Sequence, residues 1–461
     1  MKQLKVIGLL LILIFVLAQC RKSSVKPPAQ QQQLDTAALS AGLATITDSS
    51  AQAFENGFSN LTGNNLHVHH LGDVTFNQAF VAPPAALYSG LGTIFNNTSC
   101  INCHQNNGMG FPTAGAAQSA LLLRISLPGT DAHGGPVPVP GYGLQIQDKA
   151  VPGKQPEAKV NITYRLDPYT FFDGEPYQLR QSSYTITNLY TPISGSYALS
   201  PRLAPPMIGL GLLEAVPESE ILALADPNDA NGDGIKGRAN YVWDPATNSM
   251  QLGRFGWKAN TASILTQVAA AFNQDMGITN SVFPVENSFG QPQYDGLSDD
   301  PELPDSLLTA VKFYAQTLGV PARRNTTDPT IKRGEQLFIQ VKCASCHTQT
   351  LTTGFNAALP ALSNQVIHPY TDMLLHDMGT DLQDHRQDYL AGSKDWRTPA
   401  LWGIGLYAKI NSPGVYLHDG RARTLTEAIM WHGGESAPSK NAFAALPMVD
   451  RHAILSFLGS L

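Results

Sequence analysis

The sequence predicts a mainly α-helical chain with a small inserted β element and long loops. Three observations lead there. Apolar residues recur at helical spacing from Thr36 to Phe58, Gly209 to Leu213, Glu218 to Ala225, Ser263 to Asp275 and Leu307 to Leu318. Strict alternation is confined to Val160 to Leu166 and Tyr184 to Leu189, two strands that a turn about Asp173-Gly174 would join as a hairpin. The polar, proline-bounded stretch from Pro321 to Pro329 reads as a linker and sets a domain boundary.

Taken in order, the elements begin with Lys2 and Lys5 ahead of an apolar run from Val6 to Leu17 that closes in Leu17-Ala18-Gln19-Cys20. This pattern reads as a lipoprotein signal peptide over residues 1–20 with Cys20 as the lipidated residue. The run falls short of the roughly 20 residues a spanning helix needs. A signal anchor and simple export without lipid are the competing readings. Arg21 to Gln33, rich in Gln, Pro, Lys and Ser, gives a flexible tether over residues 21–35. The expected location is the periplasm, at a membrane. A net charge of −6 argues against a nucleic-acid partner, and 43% hydrophobic residues are enough for two or three cores. Loop-like sequence follows Phe58 and contains His67, His69 and His70.

Two copies of Cys-x-x-Cys-His then decide the chemistry: Cys100-Ile101-Asn102-Cys103-His104 and Cys343-Ala344-Ser345-Cys346-His347. Two thiols one turn apart can take thioether bonds to a porphyrin edge while the adjacent imidazole binds the iron. Cys100, Cys103, Cys343 and Cys346 would therefore carry two covalent haem c groups, with His104 and His347 as iron ligands. A thioredoxin-like couple, a zinc site or a structural disulfide would each use the cysteines, but none explains the histidine both times. With Cys20 assigned to lipid, all five cysteines are used. Gly334-Glu335-Gln336-Leu337-Phe338 resembles the first helix of a class I cytochrome c running into its haem motif. The full expectation is thus two cytochrome c-like haem domains, one over residues 36–325 with the β insertion and one over 326–461.

Asp229-Ala230-Asn231-Gly232-Asp233-Gly234-Ile235 matches the start of a calcium loop, with oxygen ligands at alternate positions and a glycine at the turn. Asp229, Asn231, Asp233 and the Ile235 carbonyl are the candidate Ca2+ ligands, with Asp226 and Asn228 in reserve. Asn240 stands where an EF-hand has its bidentate Glu, and Asx turns also form without metal.

Trp396-Arg397-Thr398-Pro399-Ala400-Leu401-Trp402, Tyr416-Leu417-His418-Asp419-Gly420-Arg421 and Thr424-Leu425-Thr426-Glu427-Ala428 are similar to segments of the bacterial di-haem cytochrome c peroxidases and of the methylamine dehydrogenase maturation enzyme. Ser200-Pro201-Arg202-Leu203-Ala204-Pro205-Pro206, Leu252-Gly253-Arg254-Phe255-Gly256-Trp257-Lys258, Leu375-His376-Asp377-Met378-Gly379 and Trp431-His432-Gly433-Gly434 resemble the di-haem oxidoreductases sometimes labelled thiol oxidoreductases. The resemblance covers almost the whole mature chain. Its thiol label does not fit, because no cysteine pair is left for dithiol chemistry.

The resemblance implies a peroxidase-like enzyme in which electrons enter at the C-terminal haem and an oxidant is reduced at the N-terminal haem. The position matching the distal ligand of the C-terminal haem is His432, with Met430, His376 and Met378 as competitors. At the N-terminal haem the peroxidases' displaceable histidine is replaced by Ala120; Met109, His133, His67, His69 and His70 lie nearby in sequence. Glu214 and Gln147 correspond loosely to the distal acid/base pair of the peroxidases, and helix capping is the alternative role for Glu214. A small cytochrome or cupredoxin would be the electron donor, and peroxide or another small oxidant the acceptor. Two rival functions are a non-catalytic di-haem electron carrier and oxygen chemistry on an organic substrate, as in the rubber oxygenases.

Overall fold

A computed structural model describes residues 36–115 and 119–461; the expected signal peptide, with Cys20, and the expected tether lie outside the described residues. The helices that position the site are α1 (Gly63–Asn77), α2 (Cys100–Cys103), α3 (Leu210–Ala215), α4 (Ile264–Met276), α5 (Asp305–Thr317), α6 (Pro329–Gln340), α7 (Leu425–Met430) and α8 (Met448–Ser460). Local sequence explains their ends. Ser263 caps α4 by accepting the Thr266 N–H at 3.1 Å, and Gly277 stops it in the left-handed conformation at φ 72°. Asp328 caps α6 with Pro329 at its first turn, and the Thr424 hydroxyl caps α7.

Two close helix contacts depend on glycine. A Cβ on Gly72 of α1 would stand 2.1 Å from the Ala310 carbonyl of α5, and one on Gly334 of α6 would stand 1.9 Å from the Ala453 carbonyl of α8. These pairs organise two cores. The larger includes Phe76, Phe272, Val311 and Tyr314 beside the first Cys-x-x-Cys-His motif; the smaller includes Leu337, Phe338, Ile454 and Phe457 beside the second.

Between them run the strands. β1 (Leu121–Thr130), β2 (Pro136–Val137), β3 (Lys159–Thr170), β4 (Pro176–Thr187) and β5 (Ala198–Leu203) form two antiparallel units. β1 is the centre of a three-stranded sheet with β2 and β5. β3 and β4 make the expected hairpin, in register from Lys159↔Thr187 to Thr170↔Pro176, with Asp173-Gly174 in its turn. The hairpin tip reaches α8, where Arg451 pairs with Asp173 at 2.7 Å and Glu175 at 2.6 Å. Arg180 of β4 donates to the carbonyls of Gly420 and Arg421.

The expectation of a mainly α-helical chain fails. Helix accounts for 30% and strand for 19%, and the strands are spread over many small sheets. Residues 35–461 form one compact unit, and two cytochrome c-like domains are not seen as such. The physical reason is that backbone groups here are paired piecemeal across distant segments, as where Thr45-Ile46 lies parallel to Val320-Pro321. The helix expected from Thr36 to Phe58 is instead three 3-10 turns and a two-residue strand, since the Asp48 carboxylate and the Ser50 hydroxyl accept the backbone N–H groups of Ser50 and Gln52. Conversely, the histidine-bearing stretch read as loop is α1.

Gly334→Ala is expected to destabilise the protein by about 1–3 kcal/mol, because α6 must move off α8. A urea midpoint equal to wild type would show that the two helices can part without cost.

Candidate functional site

Each Cys-x-x-Cys-His motif ends in a histidine whose tautomer is fixed by its neighbour. His104 Nδ1 lies 2.8 Å from the Pro205 carbonyl, and His347 Nδ1 lies 2.9 Å from the Tyr370 carbonyl. A carbonyl only accepts, so Nδ1 carries the proton in both and Nε2 keeps its lone pair. Burial lowers the pKa of each ring to about 4, which keeps it a neutral donor. His432 repeats the arrangement, with Nδ1 2.8 Å from the Ala428 carbonyl and a pKa pushed down by burial.

The thiols beside them are not activated. Burial raises Cys100, Cys103 and Cys343 to about 12 and also lifts Cys346. Burial thus works against the thiolate form at all four cysteines.

A cavity of about 630 Å³ joins the motifs. Cys100, Cys103 and His104 line it at one end, Cys343, Cys346, His347 and His432 at the other, and Trp257, Trp396 and Trp402 contribute to its wall. Two thiols, a neutral imidazole with a free Nε2 and an aromatic cavity, present twice, form a donor set that fits an iron porphyrin at each end. A family model described as "Di-haem oxidoreductase, putative peroxidase" matches residues 35–461. The chain belongs to the di-haem oxidoreductase family. No curated protein matches it.

The signature segments of this di-haem oxidoreductase meet in a buried charge network on the cavity wall. Lys258 donates to Asp384 at 2.7 Å and to the carbonyls of Arg386 and Gly392 at 2.8 Å each. Arg202 reaches Asp384 at 3.1 Å and Asp388 at 2.8 Å, and Arg386 also pairs with Asp388. The Arg202 guanidinium and the Lys258 ammonium both stand over Trp396, on which the His418 ring stacks at 3.6 Å. Burial opposes ionisation of Asp388, yet Arg386, Arg202 and Lys258 hold its pKa at about 2.

The second cluster is at His376. Its Nε2 meets Asp372 at 2.8 Å and its Nδ1 meets Glu435 at 2.9 Å. Burial works against its charge, but the bonds to Asp372, Cys346 and Glu435 raise its pKa to about 12. His376 thus has both nitrogens committed to carboxylates and is a poor axial ligand. Among the described residues, Cys346, Asp372 and His376 are the only three His, Cys or carboxylate ligand groups found within 4.8 Å of one another.

The other expected residues are placed as follows. Met109 is buried and lines the cavity, as does Met378, while Met430 packs into the smaller core. Glu214 lies outside the cavity lining: one oxygen accepts the Ile264 N–H at the start of α4 at 2.7 Å and the other accepts from Gln316 at 2.5 Å. Gln147 is buried against the Gln274 carbonyl, also outside the lining. Ala120 is buried, His69 bonds Thr317, His67 and His70 are exposed on α1, and exposed His133 stacks on Trp243. In the Asp-rich loop Asp226, Asp229, Asn231 and Asp233 accept backbone N–H groups of Ala230, Gly234, Asp233 and Ile235 respectively. The charge network was missed because Asp384, Arg386 and Asp388 lie in a stretch that matched no motif.

The network makes a pH prediction. Asp388 has a folded pKa of about 2 against an ordinary 3.8, so its stabilisation is present above about pH 4 and is lost as pH falls through about 2. Asp388→Asn should cost about 3–5 kcal/mol at pH 7 by taking the carboxylate from Arg386 and leaving Arg202 with Asp384 alone, and should flatten the stability profile between pH 4 and pH 2. Urea melts at pH 7 and pH 3 check both.

Proposed function

We propose that the protein is an exported, lipid-anchored di-haem peroxidase-type oxidoreductase whose haems are attached through Cys100, Cys103, Cys343 and Cys346. The observation that carries this reading is the single cavity onto which two neutral, carbonyl-tethered imidazoles open. Bound haem would supply one-electron chemistry at iron.

The residues divide the work between the two ends. His347 holds one face of the C-terminal site, and His432 lines the same cavity with Nε2 free to hold the other. A site closed by two imidazoles suits electron entry and favours a lower potential than one closed by methionine. At the N-terminal site His104 holds one face, and Ala120 stands where the peroxidases have a displaceable histidine. That leaves a position for hydrogen peroxide or another small oxidant. Electrons from a small periplasmic cytochrome or cupredoxin would arrive at the C-terminal site and pass to the N-terminal one. The signal sequence with Cys20 supports placement at a membrane in the periplasm.

Pyridine haemochrome analysis is expected to give two covalent haems per chain, halved in the Cys343→Ala/Cys346→Ala variant. The ferric protein should show one low-spin and one high-spin component, and His432→Ala should convert only the low-spin one. Peroxide turnover should fall in that variant while cyanide still binds. A wild type that is wholly low-spin in every redox state and binds neither cyanide nor peroxide would make it a di-haem electron-transfer lipoprotein instead.

A further inference from the structure

The cavity wall carries more positive charge than the chain neutralises. Six lysines and arginines border it against two carboxylates, Asp275 and Asp388, an excess of four positive charges. Arg202 and Arg386 share Asp388, Lys342 is exposed and Lys440 is half-buried. Arg124 and Arg397 differ from these. Among the described residues, the Arg124 side chain bonds only to the Gln274 side-chain oxygen, and that of Arg397 only to the carbonyls of Gly256 at 2.9 Å and Thr398 at 3.2 Å. Asp275, beside Gln274, accepts from Gln145 at 2.7 Å and makes no bond to Arg124. Burial lowers both guanidinium pKa values to about 10, against weaker opposing pulls from Asp275 and Asp372, so both stay charged at neutral pH. A buried charge held by neutral oxygen alone is costly and calls for an anion.

Each arginine is tied to one motif, and a single tryptophan joins the two. Arg124 lies on β1, where the register Leu122↔Arg202 and Arg124↔Ser200 sets it diagonal to Arg202 on one face of the sheet. The segment it bonds reaches the first motif: the Asp275 carbonyl accepts the Asn97 N–H at 3.2 Å, and Asn97 Nδ2 lies 2.9 Å from Cys103 Sγ. Arg397 has a like relation to the second motif. The Thr398 carbonyl that it bonds also accepts the Thr371 hydroxyl at 2.6 Å, next to the Tyr370 that holds His347. Trp257 takes the Arg397 N–H on its carbonyl at 2.8 Å and donates Nε1 to the Leu203 carbonyl of β5 at 2.7 Å. A haem joined by its vinyl edge to the cysteines at one end of the cavity turns its opposite edge, which carries two propionates, towards the region between the motifs.

We propose that Arg124 binds a propionate of the N-terminal haem and Arg397 a propionate of the C-terminal haem, each as a guanidinium–carboxylate pair. The excess of four positive charges on the wall answers the four propionates of two haems. A guanidinium meets a carboxylate with two parallel N–H bonds, which holds the porphyrin edge that the thioethers leave free. A cation beside a propionate also favours an added electron on the iron, so each arginine raises the potential of its own haem. The assignment rests on the haem attachment proposed above and not on peroxidase turnover.

The test is infrared difference spectroscopy on the haem-loaded protein, with haem isotope-labelled in its propionate carboxyls, together with a redox titration that follows both haems. Arg124→Gln and Arg397→Gln are each expected to shift the labelled carboxylate bands. Each should also lower one haem's reduction equilibrium about tenfold, about 59 mV for one electron, and not the same haem. Arg124→Lys and Arg397→Lys keep the charge and lose the paired geometry, so the bands should shift while most of the potential is kept. Where a Gln variant fails to load haem, its Lys counterpart gives the same band comparison. Pyridine haemochrome analysis separates the two readings. Two haems per chain with unmoved bands in every variant overturn the arginine assignment alone; fewer than two in the wild type remove the attachment and the assignment with it. A potential that moves while the bands stay fixed marks a structural effect and also overturns the assignment.

Discussion

The proposed iron ligation hangs on two backbone carbonyls. An imidazole can offer its lone pair to a metal only from the nitrogen that carries no proton, and the Pro205 and Tyr370 carbonyls decide which nitrogen that is at His104 and His347. Neither carbonyl is local to its motif. Pro205 follows β5, whose pairing with β1 runs from Leu121↔Leu203 to Ser126↔Ala198. Tyr370 is fixed by ring contacts with Phe338 and Phe457. The small sheets and the aromatic core therefore have a common task, which is to bring a carbonyl to each ring.

The buried charge network ties this scaffold together. Arg202 belongs to β5, three residues before Pro205, and its anchors Asp384 and Asp388 belong to the second half of the chain. Lys258 reaches the same Asp384, and Trp396 lies beneath both cations. Buried ions are costly to strand, so removing one partner loosens several segments at once. The same logic explains His376, whose two carboxylates join the segment after the second motif to Glu435 beyond His432. Close approach there is further enforced by Gly434, where a Cβ would meet the Asp377 carbonyl at 2.2 Å.

Much of the chemistry was legible in the sequence because it is local. Cys-x-x-Cys-His is one helical turn and Asp173-Gly174 is one hairpin turn. What escaped was whatever depends on distant partners. α1 begins Gly-Asn-Asn and contains Gly72, a composition that reads as loop, yet packing on α5 makes it a helix. The same dependence hid the strand Leu121–Thr130 and the ionic network. The fold class failed for this reason: helical spacing in isolated windows said nothing of the short bridges that pair the remaining backbone.

Anomalous scattering at the iron edge from crystals of the haem-loaded protein would test the central claim directly. Two iron peaks are expected at the two ends of the one cavity, each beside Nε2 of His104 or His347, with Nδ1 still on its carbonyl. A single peak, or iron bound away from these nitrogens, would contradict the account.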